Sequence, residues 1–168
     1  KLMNDNEKVL LEEFKRVLFY EQTHLAIYSA QAKRIDDLRI ASFFDRFVSL
    51  EQQHVEKMTR LVEKLNGEPG LLNQISPTAG YLGTAILRSD ITTILKSNLY
   101  LENKAVHGYE RPIKMAQEVN PSLADFMIEN QCEAELMGLW IREELTRYGI
   151  DVEATKASFT GSPVKNKF

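Results

Sequence analysis

Glu51-Gln52-Gln53-His54 sets a carboxylate and an imidazole one helical turn apart on a stripe that is otherwise apolar. The stripe runs Ile40, Phe44, Phe47, Glu51, His54, Met58, Leu61, Leu65, in steps of three and four that mark one face of a long helix. A face with that period turns towards a core. A carboxylate held there without a partner costs several kcal/mol, so the fold must supply an ion pair, a shared proton or a metal at that height.

The rest of the chain reads as three more helices of similar length. The first spans about 6–34, with Leu10, Phe14, Val17, Glu21, His24 and Tyr28 inward. Asp36-Asp37 offers a cap for the second, about 37–65, and Gly67 stands where a terminating glycine belongs. Residues 68–88 hold Pro69, Gly70, Pro77, Gly80 and Gly83, too broken for a core helix and too long for a tight turn. The third helix covers about 89–119, with Ile91, Ile94, Asn98, Glu102, Ala105, Tyr109, Ile113 and Ala116 on its stripe and a kink expected at Pro112. Asn120-Pro121 caps and starts the fourth, which ends near Tyr148 before Gly149.

Connection lengths set the topology. Two short joints make antiparallel pairs, and the long segment between the pairs crosses the bundle. The expected fold is therefore an all-α antiparallel four-helix bundle over 1–149, with one long crossover between helices two and three and a tail at 150–168. The halves resemble repeats: an offset of 82 carries Phe44, Glu51 and Gly67 onto Phe126, Glu133 and Gly149, and an offset of 81 carries Tyr20-Glu21 onto Leu101-Glu102.

Glu21, Glu51, Glu102 and Glu133 then fall near their helix midpoints, in one layer to within roughly 3 Å at about 1.5 Å rise per residue. Four anions in a low-dielectric core repel unless protonated or bound to cations. A dinuclear metal centre answers both demands, with Glu21, Glu51, His54, Glu102 and Glu133 as candidate ligands. Glu135 fits the level better than Glu133 but leaves the stripe. His24 reads either as a core histidine satisfied by a carboxylate or tyrosine, or as a ligand compensating for a missing one, because Leu136 stands three residues beyond Glu133 and no histidine follows His107. Tyr28 and Tyr109, seven residues after Glu21 and Glu102, form a matched layer two turns on. The other aromatics, Tyr20, Tyr100 and Trp140, read as core or helix contacts, His107 as a surface residue and Cys132 as a small half-buried one.

Composition narrows the remaining classes. The 168 residues suit a single domain, and a net charge of -3 with interspersed basic and acidic residues gives no nucleic-acid footprint. One cysteine excludes an internal disulfide and a cysteine-based zinc ribbon. No apolar run is long enough to span a membrane, neither a secretory leader nor a low-complexity tract is expected, and a cytoplasmic location is the default.

These residues resemble the ferritin-like superfamily and, within it, the demethoxyubiquinone hydroxylase group of di-iron proteins. The likeness covers roughly residues 10 to 148. It rests on Glu21, Glu51-x-x-His54, Glu102 followed by Tyr109, and the segment Ser76-Pro77-Thr78-Ala79-Gly80-Tyr81-Leu82-Gly83 before the third helix. The resemblance implies a di-iron centre that activates dioxygen for a non-haem oxidoreductase, a monooxygenase acting on a small, apolar, quinone-like substrate, in a homo-oligomer. The absent second histidine implies a degenerate second half-site. Leu71, Leu72, Ile75, Tyr81, Leu82 and Ile86 would either rest on a membrane surface or cap one end of the bundle. The alternative is a metal-free or single-metal bundle acting as a binding or structural module.

Overall fold

A computed structural model of the chain describes residues 4–70 and 89–152. Four long helices carry it: α1 Asp5–Ala32, α2 Leu38–Lys64, α3 Ile91–Val119 and α4 Ala124–Arg147, the last preceded by a single 3-10 turn at Pro121–Leu123. No strand occurs among the described residues.

Local chemistry explains the boundaries. Asn4 and Glu7 form a reciprocal capping box at the start of α1. Asp37 accepts from the backbone N–H groups of Arg39 and Ile40, and Asp90 from those of Thr92 and Thr93. Both α2 and α4 end in a Schellman turn, in which Gly67 N–H returns to the Val62 carbonyl and Ile150 N–H to that of Leu145. In α4 the left-handed residue is Gly149, φ 71°, as its position suggests. In α2 it is Asn66, φ 55°, and Gly67 serves a different need: a Cβ there would lie 2.4 Å from Leu11 Cδ1. Pro112 is buried inside α3, which continues unbroken to Val119.

Cross-helix pairs fix the directions. Glu21 meets His54 and His24 faces Glu51, so α1 and α2 are antiparallel. Tyr28 pairs with Glu102 and Tyr109 with Glu21, so α1 and α3 are too. Arg39 meets Glu144 while Lys57 meets Glu129, which sets α2 against α4. These three pairs are antiparallel, and α2 therefore ends at the opposite end of the bundle from the start of α3. The expected apolar cap or membrane face, Leu71 to Ile86, and the Ser76–Gly83 segment lie outside the described residues. No helix among those described is long and apolar enough to cross a membrane.

The apolar core is split in two. One cluster gathers Leu10, Phe14, Leu61, Ala116 and Met127, and the other Ile40, Phe44, Leu95, Ile141 and Leu145. Ile150 and Val152 pack against the second cluster, so the chain stays attached for a few residues beyond the expected domain end at 149. Residues 153–168 of the expected tail lie outside the described part. Between the two clusters sits a polar layer.

Candidate metal centre

Glu21, Glu51, His54 and Glu102 are each no more than 2% exposed, and His24 is 4% exposed. They meet because the inward stripes of α1, α2 and α3 cross at mid-height. One ligand atom each from Glu21, His24 and Glu51 lies within 4.8 Å of the other two. His54 Nδ1 joins them, 3.2 Å from Glu21 Oε2 and 3.7 Å from Glu51 Oε2. His24, which the sequence left between two roles, therefore stands among the converging donors.

The surrounding groups hold this layer in place. Tyr109 Oη donates to Glu21 Oε1 at 2.5 Å and itself accepts from Asn130 Nδ2 at 3.1 Å. Tyr28 Oη donates to Glu102 Oε1. Each carboxylate is thus tied by a tyrosine from the opposite helix. One turn further, Gln31 and Asn98 exchange two amide hydrogen bonds of 3.1 and 2.8 Å between α1 and α3.

The fourth helix departs from expectation. Glu133 is a quarter exposed on its side chain and reaches the far ring nitrogen, His54 Nε2, at 2.8 Å, with Lys57 3.5 Å away. It orients the imidazole from outside rather than joining the donors around Nδ1. Glu135 and Cys132 are exposed, and Leu136 is 65% exposed. Tyr20 and Tyr100, read as core or helix-contact aromatics, lie outside the core at 46% and 40% exposed.

The cause is a one-residue error in register. Every buried position of α2, namely Ile40, Phe44, Phe47, Glu51, His54, Met58, Leu61 and Val62, advanced by 83 rather than 82, falls on a buried residue: Leu123, Met127, Asn130, Ala134, Met137, Ile141, Glu144 and Leu145. The offset of 81 between α1 and α3 stands, pairing Glu21 with Glu102 and Tyr28 with Tyr109. The counterparts of Glu21, His24, Glu51 and His54 are therefore Glu102, Ala105, Ala134 and Met137. One half of the layer is rich in donors, and the other keeps a single carboxylate.

Electrostatics follow from that crowding. Burial alone would push both imidazoles down, but the Glu51 carboxylate holds His24 up at about 9, and Glu21 with Glu51 holds His54 up at about 11. Burial and the Glu51 charge raise Glu102 to about 8, and the same two causes raise Glu21. Glu51, although burial opposes its charge, is brought down to about 2 by His24 and His54. Without metal, protons on both imidazoles and on Glu102 offset the crowding of carboxylates in the layer.

The pH dependence of the metal-free protein has a definite sign. The raised histidines contribute stability present below their ordinary 6.5 and lost as pH rises through 9 and then 11. Glu102 behaves likewise, its contribution fading from 4.5 to 8, whereas that of Glu51 is lost only as pH falls from 4.5 through 2. Thermal melting of metal-free protein should therefore peak near about pH 5 and fall steadily to pH 9. A flat profile between pH 6.5 and 9 would contradict the protonated layer.

Protons do not satisfy every atom. His24 Nδ1, Glu51 Oε2 and Glu102 Oε2 are buried without a hydrogen-bond partner, and the 3.8 Å from His24 Nδ1 to Glu51 Oε1 is too long for one. Nitrogen and oxygen ligands about 2 Å from an ion lie roughly 3 to 4 Å from one another, close to the spacings observed. The donor set of two imidazoles and two carboxylates fits a divalent transition metal.

A family model for the ferritin-like domain matches residues 12–147. The chain belongs to that family. Ferritin-like relatives of known structure share the fold at low identity. A bacterioferritin from Desulfovibrio desulfuricans, whose diiron site was observed in different catalytic states, superposes with a TM-score of 0.76 at 17% identity over 99% of this chain and 96% of its own. A ferritin-like, diiron-carboxylate protein from Bacillus anthracis str. Ames does so with a TM-score of 0.71 at 19% identity, over 85% of this chain and 99% of its own. No curated protein matches the sequence.

Proposed function

We propose that this ferritin-like chain is a non-haem iron oxidoreductase of the di-iron carboxylate type in which only one half of the centre is complete. Glu21, His24, Glu51 and His54 would hold one iron ion, with Glu102 facing it from α3. The observation that carries this reading is the convergence of unpartnered, buried His24 Nδ1 and Glu51 Oε2 beside His54 Nδ1 and Glu21. Iron is the metal of the reading because both ferritin-like relatives are described as diiron proteins.

A bound iron ion would supply the electron transfer that activates dioxygen. The protein's share is positional. Glu133 holds His54 Nε2, leaving Nδ1 to bind, in the carboxylate–histidine–metal pattern that fixes ring orientation. Tyr109 and Tyr28 hold one oxygen each of Glu21 and Glu102, leaving the other to face the centre. The two apolar clusters keep water from above and below. Hydroxylation of a small apolar, quinone-like substrate is the finer form of the reading, supported by the layer's Glu-x-x-His and paired Glu–Tyr elements. A homo-oligomer is part of it, supported by Leu136 and Leu139, both at least 60% exposed on α4.

Anaerobic titration with ferrous or cobalt ion, followed by elemental analysis, tests the centre. We expect one tight ion per chain. His54→Ala and His24→Ala should each weaken binding about 100-fold or more, and Glu133→Gln about 10- to 100-fold. Parent-like affinity in His54→Ala would place the metal elsewhere, and absence of iron, manganese and zinc would favour a metal-free binding module.

A further inference from the structure

We propose that the cavity between α1 and α3 binds a planar aromatic carboxylate, with its anionic end at a basic rim and its ring directed inward to Glu21 and His24. This names an organic substrate class for the centre described above, and rests on that reading for what happens at the cavity floor. The cavity itself does not.

Its volume is about 550 Å³, within the range of small-molecule sites. It opens because α3 is small where α1 is not: Ala105 and Gly108 line it, at positions matching His24 and Ile27 of α1. A Cβ added at Gly108 would meet nothing within 4 Å. Glu21, His24 and Tyr109 also line the space, so it leads from solvent to the donor layer.

Two features fix the ligand chemistry. Tyr20 on one wall and Tyr100 on the other offer exposed aromatic surface, and flat rings stack or pack edge-on against such groups. Beside them stand two cations, Arg16 over the Tyr20 ring at 5.8 Å and Lys104 over the Tyr100 ring at 5.5 Å. Glu13 is shared between Arg16 and Arg111, and Lys104 has no carboxylate partner among the described residues. The rim keeps a positive surplus. Arg16 and Lys104 stand where the cavity meets solvent, so the carboxylate of a ligand pairs with them at the rim and its apolar body enters between the tyrosines.

Calorimetric titration with 2-naphthoate and its neutral isostere 2-naphthamide tests this, on metal-free and cobalt-loaded protein with metal content measured in the same samples. Naphthoate should bind the parent about fivefold more tightly than naphthamide, and Lys104→Gln should erase that difference without altering naphthamide binding. Gly108→Leu, which fills the open space and favours the helix, should abolish both. Equal binding of the two probes, or unchanged binding in Gly108→Leu, would overturn the proposal. So would binding seen only with cobalt and insensitive to Lys104→Gln, because the carboxylate would then ligate the metal. Metal uptake without naphthoate binding defeats the cavity assignment alone, while naphthoate binding without metal uptake defeats the metal centre alone.

Discussion

An Ala134→Glu/Met137→His double variant is expected to take up two divalent ions per chain where the parent takes up one. The two substitutions place a carboxylate and an imidazole at the α4 positions that match Glu51 and His54, beside Glu102, whose Oε2 is buried and unpartnered. Single Leu136→His serves as the control: its side chain is 65% exposed, so it should leave the stoichiometry at one. Equilibrium dialysis with elemental analysis reads the count. A second ion in the control, or none in the double variant, would show that the register drawn between α2 and α4 is wrong. Without metal the double variant should melt below the parent, because another carboxyl enters a layer already crowded with acids.

Saturating the metal-free parent with cobalt or ferrous ion should raise its melting temperature by about 10 °C. At a free concentration of about 1,000 times the dissociation constant, linkage contributes roughly 4 kcal/mol, and a domain of this size shifts roughly 2 to 4 °C per kcal/mol. The gain should vanish with a chelator and in His54→Ala. It should also grow from pH 6 to pH 8, since the ion displaces protons from His24, His54 and Glu102, all held above their ordinary values. No shift at that metal excess would leave the layer without its ion.

The helices were legible because apolar period and capping chemistry act locally. Asp37, Asn120-Pro121 and Gly149 mark their ends in the sequence and in the structure alike. Glu21, Glu51, His54 and Glu102 could be placed in one layer because each lies on a stripe whose neighbours are unambiguous. Helix α4 was harder for a physical reason. Ile128, Cys132, Leu136 and Leu139 give its outer face an apolar stripe of its own, so periodicity alone admits two rotations of the helix. The rotation that turns Glu133 inward also supplies a fourth carboxylate, whereas the packed face is Met127, Asn130, Ala134 and Met137. His24 was ambiguous for a different reason: a buried imidazole takes its role from groups on other helices, and those meet it only once α1 and α2 are packed. Tyr20 and Tyr100 sit beside inward residues, yet which of two adjacent helical positions faces solvent depends on how far apart α1 and α3 stand.

The crossed tyrosine ties have a mechanical consequence. Tyr28 of α1 grips Glu102 of α3, and Tyr109 of α3 grips Glu21 of α1, so neither carboxylate can follow its own helix without dragging on the other. Any guest that wedges the two helices apart pulls both carboxylates in opposite directions at once, and any ion that draws them together narrows the gap through which the guest entered. An organic ligand and a metal ion bound there would be geared to each other through a single spacing, and occupancy of one would be felt as a preload on the other.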